Sequence, residues 1–140
     1  MVVRDADFTT DFASIRHVRE TVFIDEQRVP RGLEFDERDP LCLHVLVFDG
    51  GTPVGTGRLD LEYGAKVGRV AVVATHRRGG IGTAVMQHLH AIARKEKYPR
   101  LWCNAQLTAV PFYERLGYVR SGAVFVEAGI DHVRMEYALD

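Results

Sequence analysis

Apolar residues recur along the chain at two different spacings, which separate predicted helices from predicted strands. Between Phe8 and Val22 they lie three or four residues apart, the spacing of an amphipathic helix. The same spacing predicts the longest helix over residues 78–95, and a short helix is predicted over 109–116, ending at Gly117. Shorter apolar runs between turn residues predict strands. These runs cover residues 2–4, 41–48, 54–61, 66–73, 101–105, 118–126 and 132–139.

The order of these elements is β-α-β-β-β-α-β-α-β-β, which predicts one mixed α/β domain over residues 1–140. Asp-Gly-Gly at residues 49–51 predicts a hairpin turn between the second and third strands. Residues 70–73 are apolar on both faces, as in a central strand that is covered on both sides. The polar segment 25–40 contains two prolines and a glycine and is predicted to be a loop with one short helical turn.

Composition narrows the class of protein. Apolar residues make up 46% of the chain, enough for a hydrophobic core, and the net charge of −1 indicates neither a nucleic-acid nor a membrane partner. No apolar run approaches the roughly 20 residues that span a bilayer, and the polar start does not resemble a signal peptide, so we expect a cytoplasmic protein. Cys42 and Cys103 lack metal or disulfide spacing and are expected to be buried thiols in strands, with no metal site.

Charge is unevenly distributed along the chain. Residues 25–39 contain six acids and three arginines, whereas residues 66–100 contain eight lysines or arginines and one acid. This pattern suits a protein that holds a polyanion on its middle segment and faces a cation elsewhere, although a solvated surface would also produce it.

The basic middle segment contains a candidate phosphate loop. Residues 75–83 join a predicted buried strand to the longest helix and contain Gly79, Gly80 and Gly82 beside Arg77 and Arg78. Glycines allow close approach of the backbone, and the first N–H groups of a helix attract anions. The loop lacks the Gly-Lys-Ser/Thr of a nucleotide-binding P-loop and the third glycine of a dinucleotide fingerprint. Phosphate or pyrophosphate binding is indicated, and a tight turn without a ligand is the alternative.

Several stretches resemble the GNAT superfamily of N-acetyltransferases, and two of them resemble its YjcF-like and ElaA-like branch. The first group comprises Arg77-x-x-Gly80-x-Gly82, Arg69-Val70-Ala71-Val72 and Gln106-x-x-Ala109-x-x-Phe112-Tyr113-x-x-Leu116-Gly117-Tyr118. The branch stretches are Val18-Arg19-x-x-Val22-Phe23-x-x-Glu26-Gln27-x-Val29-Pro30 and Glu127-x-Gly129-Ile130-Asp131-His132-x-x-Met135. The resemblance implies a mostly antiparallel sheet of six or seven strands, a splayed parallel pair formed by strands four and five, and about four helices.

The resemblance also implies acetyl-CoA as co-substrate and a set of residues that bind it. The backbone of Val70, Ala71 and Val72 would pair with the pantetheine arm, and Gln106 would hydrogen-bond it. The remaining implied cofactor contacts are Arg77, Arg78, Gly79, Gly80, Ile81, Gly82, Thr83, Ala109, Phe112 and Tyr113. The implied reaction is direct attack of a neutral primary amine of a small molecule or peptide on the thioester.

Tyr113 matches the general acid of resembling enzymes, and a phenol with a pKa of about 10 stays protonated at neutral pH. A structural role in packing beside Phe112 is the alternative. No carboxylate stands on strand four, so His132 and Glu34 are the candidate bases, with a water chain as another route. The acidic segment suggests a cationic acceptor. The candidate acceptor-binding residues are Glu26, Glu34, Asp36, Glu127 and Asp131.

Other functions remain open at this point. The chain could be a catalytically silent acyl-CoA sensor, a nucleotide-binding regulatory domain or a transferase of longer acyl groups. Resembling proteins also form homodimers through sheet edges, so a homodimer is expected.

Overall fold

The computed structural model describes residues 1–139 and contains a seven-stranded sheet in the order β1-β2-β3-β4-β5-β7-β6. The strands are β1 Val2–Ala6, β2 Leu43–Asp49, β3 Thr52–Asp60, β4 Lys66–Val72, β5 Arg100–Gln106, β6 Val119–Glu127 and β7 Ile130–Ala138. The α-helices are α1 Phe12–Arg19, α2 Arg31–Glu34, α3 Ile81–Lys95 and α4 Val110–Arg115. Every neighbouring strand pair is antiparallel except β4 and β5. The predicted fold class and element order are confirmed.

The parallel pair β4–β5 is registered over only two residue pairs, Lys66 with Trp102 and Val67 with Cys103. Beyond these pairs the two strands diverge, while β5 stays paired with β7 along its whole length. Arg69 lies just after the divergence, opposite a register shift in β3, with a φ of 53°. A left-handed backbone costs a non-glycine residue roughly 1–2 kcal/mol, so this bulge is held in place by its surroundings.

The two faces of the sheet are covered by different helices. Helix α3 packs on one face through a core of buried residues that includes Val85 and Leu89. Two strand glycines permit this close approach, because a Cβ at Gly57 would lie 2.7 Å from Val85 Cγ1. On the opposite face, α1 and the segment after it bury Val18, Val22, Phe23 and Val29 against Ala71.

The beginning of the longest helix differs from the sequence prediction by three residues. Helix α3 begins at Ile81 rather than at residue 78, because Arg78 and Gly80 adopt left-handed conformations with φ of 66° and 85°. Similarly, α1 begins at Phe12, so Phe8 is outside the helix, where it packs on Phe12 and His44.

The segment predicted to be mainly loop is more helical than expected. Helix α1 continues without a break into a π-helix over Glu20–Glu26, and α2 and a 3-10 turn at Asp39–Leu41 follow. Strand β4 was predicted to be covered on both faces, but Val70 and Val72 are only partly buried because the gap beside β5 is open. Cys42 precedes β2 rather than lying in a strand, while Cys103 is buried in β5.

Candidate active site

A cleft of about 980 Å³ occupies the gap between β4 and β5. The part lined by the loop before α3 and by α4 is called the cofactor half, and the part lined by α2 and by the strand ends near Lys66 is called the acceptor half, after the ligands that the sequence predicts for them. The β6–β7 turn, with Glu127, lines the cleft at the end farther from Lys66, beside Gln106. Val70, Ala71, Val72, Gln106, Ala109, Phe112 and Tyr113 line it, as predicted for a cofactor channel. Among the predicted residues, Gly79, Ile81 and Asp131 are not part of the lining.

The N-terminus of α3 presents free amide groups to the cleft. The first intrahelical bond runs from Ala84 N–H to the Gly80 carbonyl at 2.9 Å, so the N–H groups of Ile81, Gly82 and Thr83 have no intrahelical partner. No side chain among residues 1–139 caps this end. A Cβ at Gly82 would lie 3.1 Å from the ring of Phe112, so glycine keeps the approach to these amides open. This is the arrangement in which helix N-termini bind phosphate groups.

Arg77 is held by protein groups in this structure. Its Nε donates to the Val72 carbonyl at 2.9 Å, and its two terminal nitrogens donate to the Glu26 carboxylate at 2.6 and 2.7 Å. The hydrogen bonds from Arg77 lower the pKa of Glu26. Glu26 was predicted to contact the acceptor, but it reaches back to the phosphate loop instead.

A second polar contact crosses the cleft one residue later. The Gln106 amide donates to the side-chain carbonyl of Gln27 at 2.8 Å. Together with the pair of Glu26 and Arg77, this bond ties the end of the π-helical segment to both sides of the gap. Sequence reasoning missed Gln27 because its partner is 79 residues away.

Tyr113 lies on α4 with 8% of its surface exposed. Burial raises the pKa of its phenol above the ordinary value. Among residues 1–139 its hydroxyl has no hydrogen-bond partner, and the hydroxyl oxygen is not fully buried. The residue is part of the lining of the cleft. The neighbouring Tyr118 differs, since its hydroxyl is 2.7 Å from His90 Nε2 in the core.

His132 is also buried at the edge of the cleft, on β7, where it stacks on Phe125. Its Nδ1 is 2.7 Å from the Ile130 carbonyl, and a carbonyl can only accept, so Nδ1 carries the proton. Its other ring nitrogen, Nε2, lies 3.8 Å from the Glu127 carboxylate.

The other candidate base, Glu34, belongs to an arginine–carboxylate network that the sequence did not predict. The network, on the face of the sheet that carries α1, comprises Arg19, Glu34, Asp36, Asp39, Arg58 and Arg69. Arg19 is 1% exposed and binds Glu34 and Asp39 at 2.8 Å, while Arg58 binds Asp36 and Asp39 at 2.8 Å. Burial raises the pKa of Glu34 despite these partners. Burial is the largest single influence on Asp36 and opposes its ionisation, but its interactions with Arg58 and Arg69 together outweigh burial and lower its pKa.

Comparison with known proteins assigns the chain to a family. A family model described as an acetyltransferase (GNAT) domain matches residues 13–139. The chain belongs to the GNAT acetyltransferase family. The uncharacterized N-acetyltransferase YjcF of Bacillus subtilis is 41% identical over 121 residues, covering 85% of this chain and 86% of that protein.

Solved structures of other proteins share the fold. A putative N-acetyltransferase from Lactobacillus plantarum superposes with a TM-score of 0.89 at 24% identity, covering 99% of this chain and 97% of that one. Escherichia coli ElaA gives a TM-score of 0.87 at 21% identity, covering 97% and 99%. The predicted family, its YjcF-like and ElaA-like branch and the expectation of an N-acetyltransferase enzyme are confirmed.

Two further findings on this GNAT protein concern membrane-spanning helices and metal sites. No helix in the described part of the chain is long and apolar enough to cross a bilayer. Among residues 1–139, no three His, Cys, Asp or Glu side chains are grouped so that they could hold a metal ion.

Proposed function

We propose that the protein transfers an acetyl group from acetyl-CoA directly to a primary amine of a small molecule or peptide. The observation that carries the proposal is Tyr113, which lines the cleft and whose hydroxyl has no hydrogen-bond partner among residues 1–139. It lies in the same cleft as the amide groups at the start of α3. An acid and an anion-binding helix end in one cleft fit a thioester donor with a pyrophosphate.

The cofactor residues fit acetyl-CoA on two counts. The amides of Ile81, Gly82 and Thr83 would hold the pyrophosphate, with Arg78 exposed beside them, and Gly82 keeps the space that a Cβ would fill. Backbone groups of Val70–Val72 lack strand partners on the β5 side and would bond the pantetheine arm. Gln106, once released from Gln27, would add an amide contact. When bound, acetyl-CoA supplies an activated acyl group and a thiolate leaving group.

Within this site, protein groups stabilise developing charge and accept and donate protons. The backbone N–H groups of the divergent part of β4 can polarise the carbonyl oxygen on which negative charge develops. His132 accepts the proton of the amine at Nε2, since Nδ1 is already committed to the Ile130 carbonyl. Tyr113 donates its proton to the departing sulfur. We favour His132 over Glu34 as base because the Glu34 carboxylate is held by Arg19 at 2.8 Å.

The edge strand β6 suggests how two copies associate. It is the last strand of the sheet, and Val119, Val124 and Val126 are 69%, 51% and 68% exposed. An apolar, unpaired edge favours pairing with another strand. We propose that residues 1–140 act as one acetyltransferase domain that forms a homodimer through β6, and a monomeric mass by light scattering at micromolar concentration would contradict the dimer.

The experiment that tests the proposed function compares melting temperatures with acetyl-CoA, with ATP and without ligand. A ligand at one hundred times its Kd stabilises the native state by about 2.7 kcal/mol. For this size of domain the melting temperature should rise by roughly 5–10 °C. We expect a rise with acetyl-CoA but not with ATP, followed by release of free CoA thiol when amines are added. No rise with millimolar acetyl-CoA would refute the proposal.

A further inference from the structure

The acids in the acceptor half of the cleft are already neutralised by arginines. Glu34, Asp36 and Asp60 line this half. Their arginine partners, at 2.8 Å in each pair, are Arg19, Arg58 and Arg38. A cationic acceptor would have to compete with a guanidinium for each carboxylate, and breaking a buried pair leaves an unmatched charge. The acidic segment therefore does not supply a site for a cationic amine.

One cation of this half is not neutralised. Lys66, at the closed end of the β4–β5 gap, lines the cleft, and within residues 1–139 no carboxylate pairs with its ammonium group. The ammonium group instead lies over the indole of Trp102, whose ring centroid is 5.1 Å from Nζ. An aromatic face attracts a cation but does not cancel its charge.

The surroundings hold Lys66 in place and add further positive charge. The Trp102 indole is oriented by its own N–H, which donates to the Tyr63 carbonyl at 2.8 Å. The guanidinium of Arg134, on β7, lies 4.0 Å from the same ring. Arg134 is partly matched by Glu136 at 3.2 Å. The closed end of the cleft, where Lys66 lies, therefore carries an excess of positive charge.

A side chain with a hydrogen-bonding amide lines the same cleft, two residues along β5 from the strand partner of Lys66. Asn104 follows Trp102 by two residues on β5, so the two side chains share a face of the sheet, and Asn104 also lines the cleft. Three residues separate Lys66 from the Arg69 bulge, about 10 Å along the strand. An anionic group bound here would lie on the acceptor side of the backbone that is proposed to hold the thioester.

We propose that the acceptor is an amino acid or a related small amine whose carboxylate is bound by Lys66 and Asn104. A single unmatched cation suits a monoanion such as a carboxylate. A charge-assisted hydrogen bond from the ammonium and one from the Asn104 amide satisfy its two oxygens. The amine end of the molecule then points along β4 toward the bulge. The inference rests on the proposed acetyl transfer and names its substrate class.

The test uses matched acceptors in sets of three: an L-amino acid, its α-carboxamide and the amine left by removing the carboxyl group. Turnover is followed by release of CoA thiol from acetyl-CoA. We expect the carboxylate member to have the highest kcat/KM in its set. Lys66→Gln should lower that value by roughly 10- to 100-fold through KM, the range for one hydrogen bond to a charged group, and leave the two neutralised members unchanged. Lys95→Gln, at the exposed end of α3, is the matched control and should behave as the wild type.

Two outcomes of the turnover assay overturn the inference. One is a preference for the decarboxylated amine in the wild type, and the other is a carboxylate preference that survives in Lys66→Gln. The same acceptors are also added to the CoA-loaded protein in a melting experiment, which requires no turnover. If acetyl-CoA raises the melting temperature but no carboxylate-bearing amine is acetylated or raises it further, the acceptor class is wrong and the cofactor site stands. If acetyl-CoA itself gives no rise, the proposed function fails first.

Discussion

Two neighbouring tyrosines separate a chemical role from a structural one, and replacing each with phenylalanine removes only a hydroxyl. Tyr113 and Tyr118 are both buried, and their rings contact each other at 5.4 Å between centroids. The Tyr118 hydroxyl is 2.7 Å from His90, whereas that of Tyr113, a residue that lines the cleft, has no protein partner in the described part of the chain. The two variants should therefore have opposite effects on stability and turnover.

The magnitudes follow from these contacts. Tyr118→Phe leaves the buried His90 nitrogen unsatisfied, which costs about 1–3 kcal/mol. At about 3 °C per kcal/mol for a domain of this size, the melting temperature should fall by roughly 3–9 °C. Tyr113→Phe breaks no protein hydrogen bond and should change stability by less than about 0.5 kcal/mol. Loss of a general acid should lower kcat by about 100-fold, the low end of the usual range because a thiolate leaves readily.

The assay measures urea unfolding and CoA-thiol release on the same preparations of both variants. A 100-fold loss in kcat corresponds to about 2.7 kcal/mol of transition-state stabilisation. Because burial raises the pKa of Tyr113, its phenol stays protonated and the variant should lose activity equally at pH 7 and pH 9. Turnover within threefold of the wild type in Tyr113→Phe would refute the assignment of the acid.

Three further predictions concern the buried charges and the contact across the cleft. Arg19→Met should lower the free energy of unfolding, measured by urea titration, by about 3–5 kcal/mol, because it leaves buried carboxylates without a partner. The control Arg16→Met breaks an exposed ion pair and should lower it by less than about 1 kcal/mol. Burial lowers the pKa of His90 to about 4, so between pH 6.5 and 4 the unfolded state binds a proton that the folded state does not. The free energy of unfolding should therefore fall as pH falls through that window. The fall should be steeper than in His90→Gln by up to about 1.4 kcal/mol per pH unit. Glu26→Gln should lower the Kd for acetyl-CoA severalfold in calorimetry, because Arg77 no longer has to break an ion pair with a carboxylate before it contacts the ligand. A higher Kd in this variant would contradict the prediction and show that Glu26 positions Arg77.

The sequence predicted those features that depend on local pattern. The order of strands and helices followed from periodicity, and the phosphate loop followed from glycines placed between an apolar strand and a helix. The start of α3 was predicted too early because apolar spacing does not report backbone conformation. Arg78 adopts a left-handed φ of 66° although most side chains disfavour it, so only the structure shows where the helix begins.

The electrostatics of the cleft could not be predicted from spacing. Arg19 and Asp39 are 20 residues apart, and Glu26 and Arg77 are 51 apart, so their pairing depends on how α1 and the π-helical segment cross the sheet. The acids were therefore interpreted as available for a cation when most are already paired. One local signal was present, since Arg58 lies between Gly57 and Leu59 in a predicted strand, and a buried arginine requires a partner.

Because β4 and β5 are paired over only a short register, the sheet consists of two parts, and each part is formed by a separate stretch of the sequence. Strands β1–β4 are formed entirely by residues 2–72 and strands β5–β7 by residues 100–138, and β4 and β5 are in register over only two residue pairs. Each half is thus a continuous stretch of chain with its own hydrogen-bonded ladder. A molecule that lies in the gap and bonds to both strands would hold the two halves together. Fragments separated in the exposed turn 96–97 should accordingly reassemble more readily when acetyl-CoA is present.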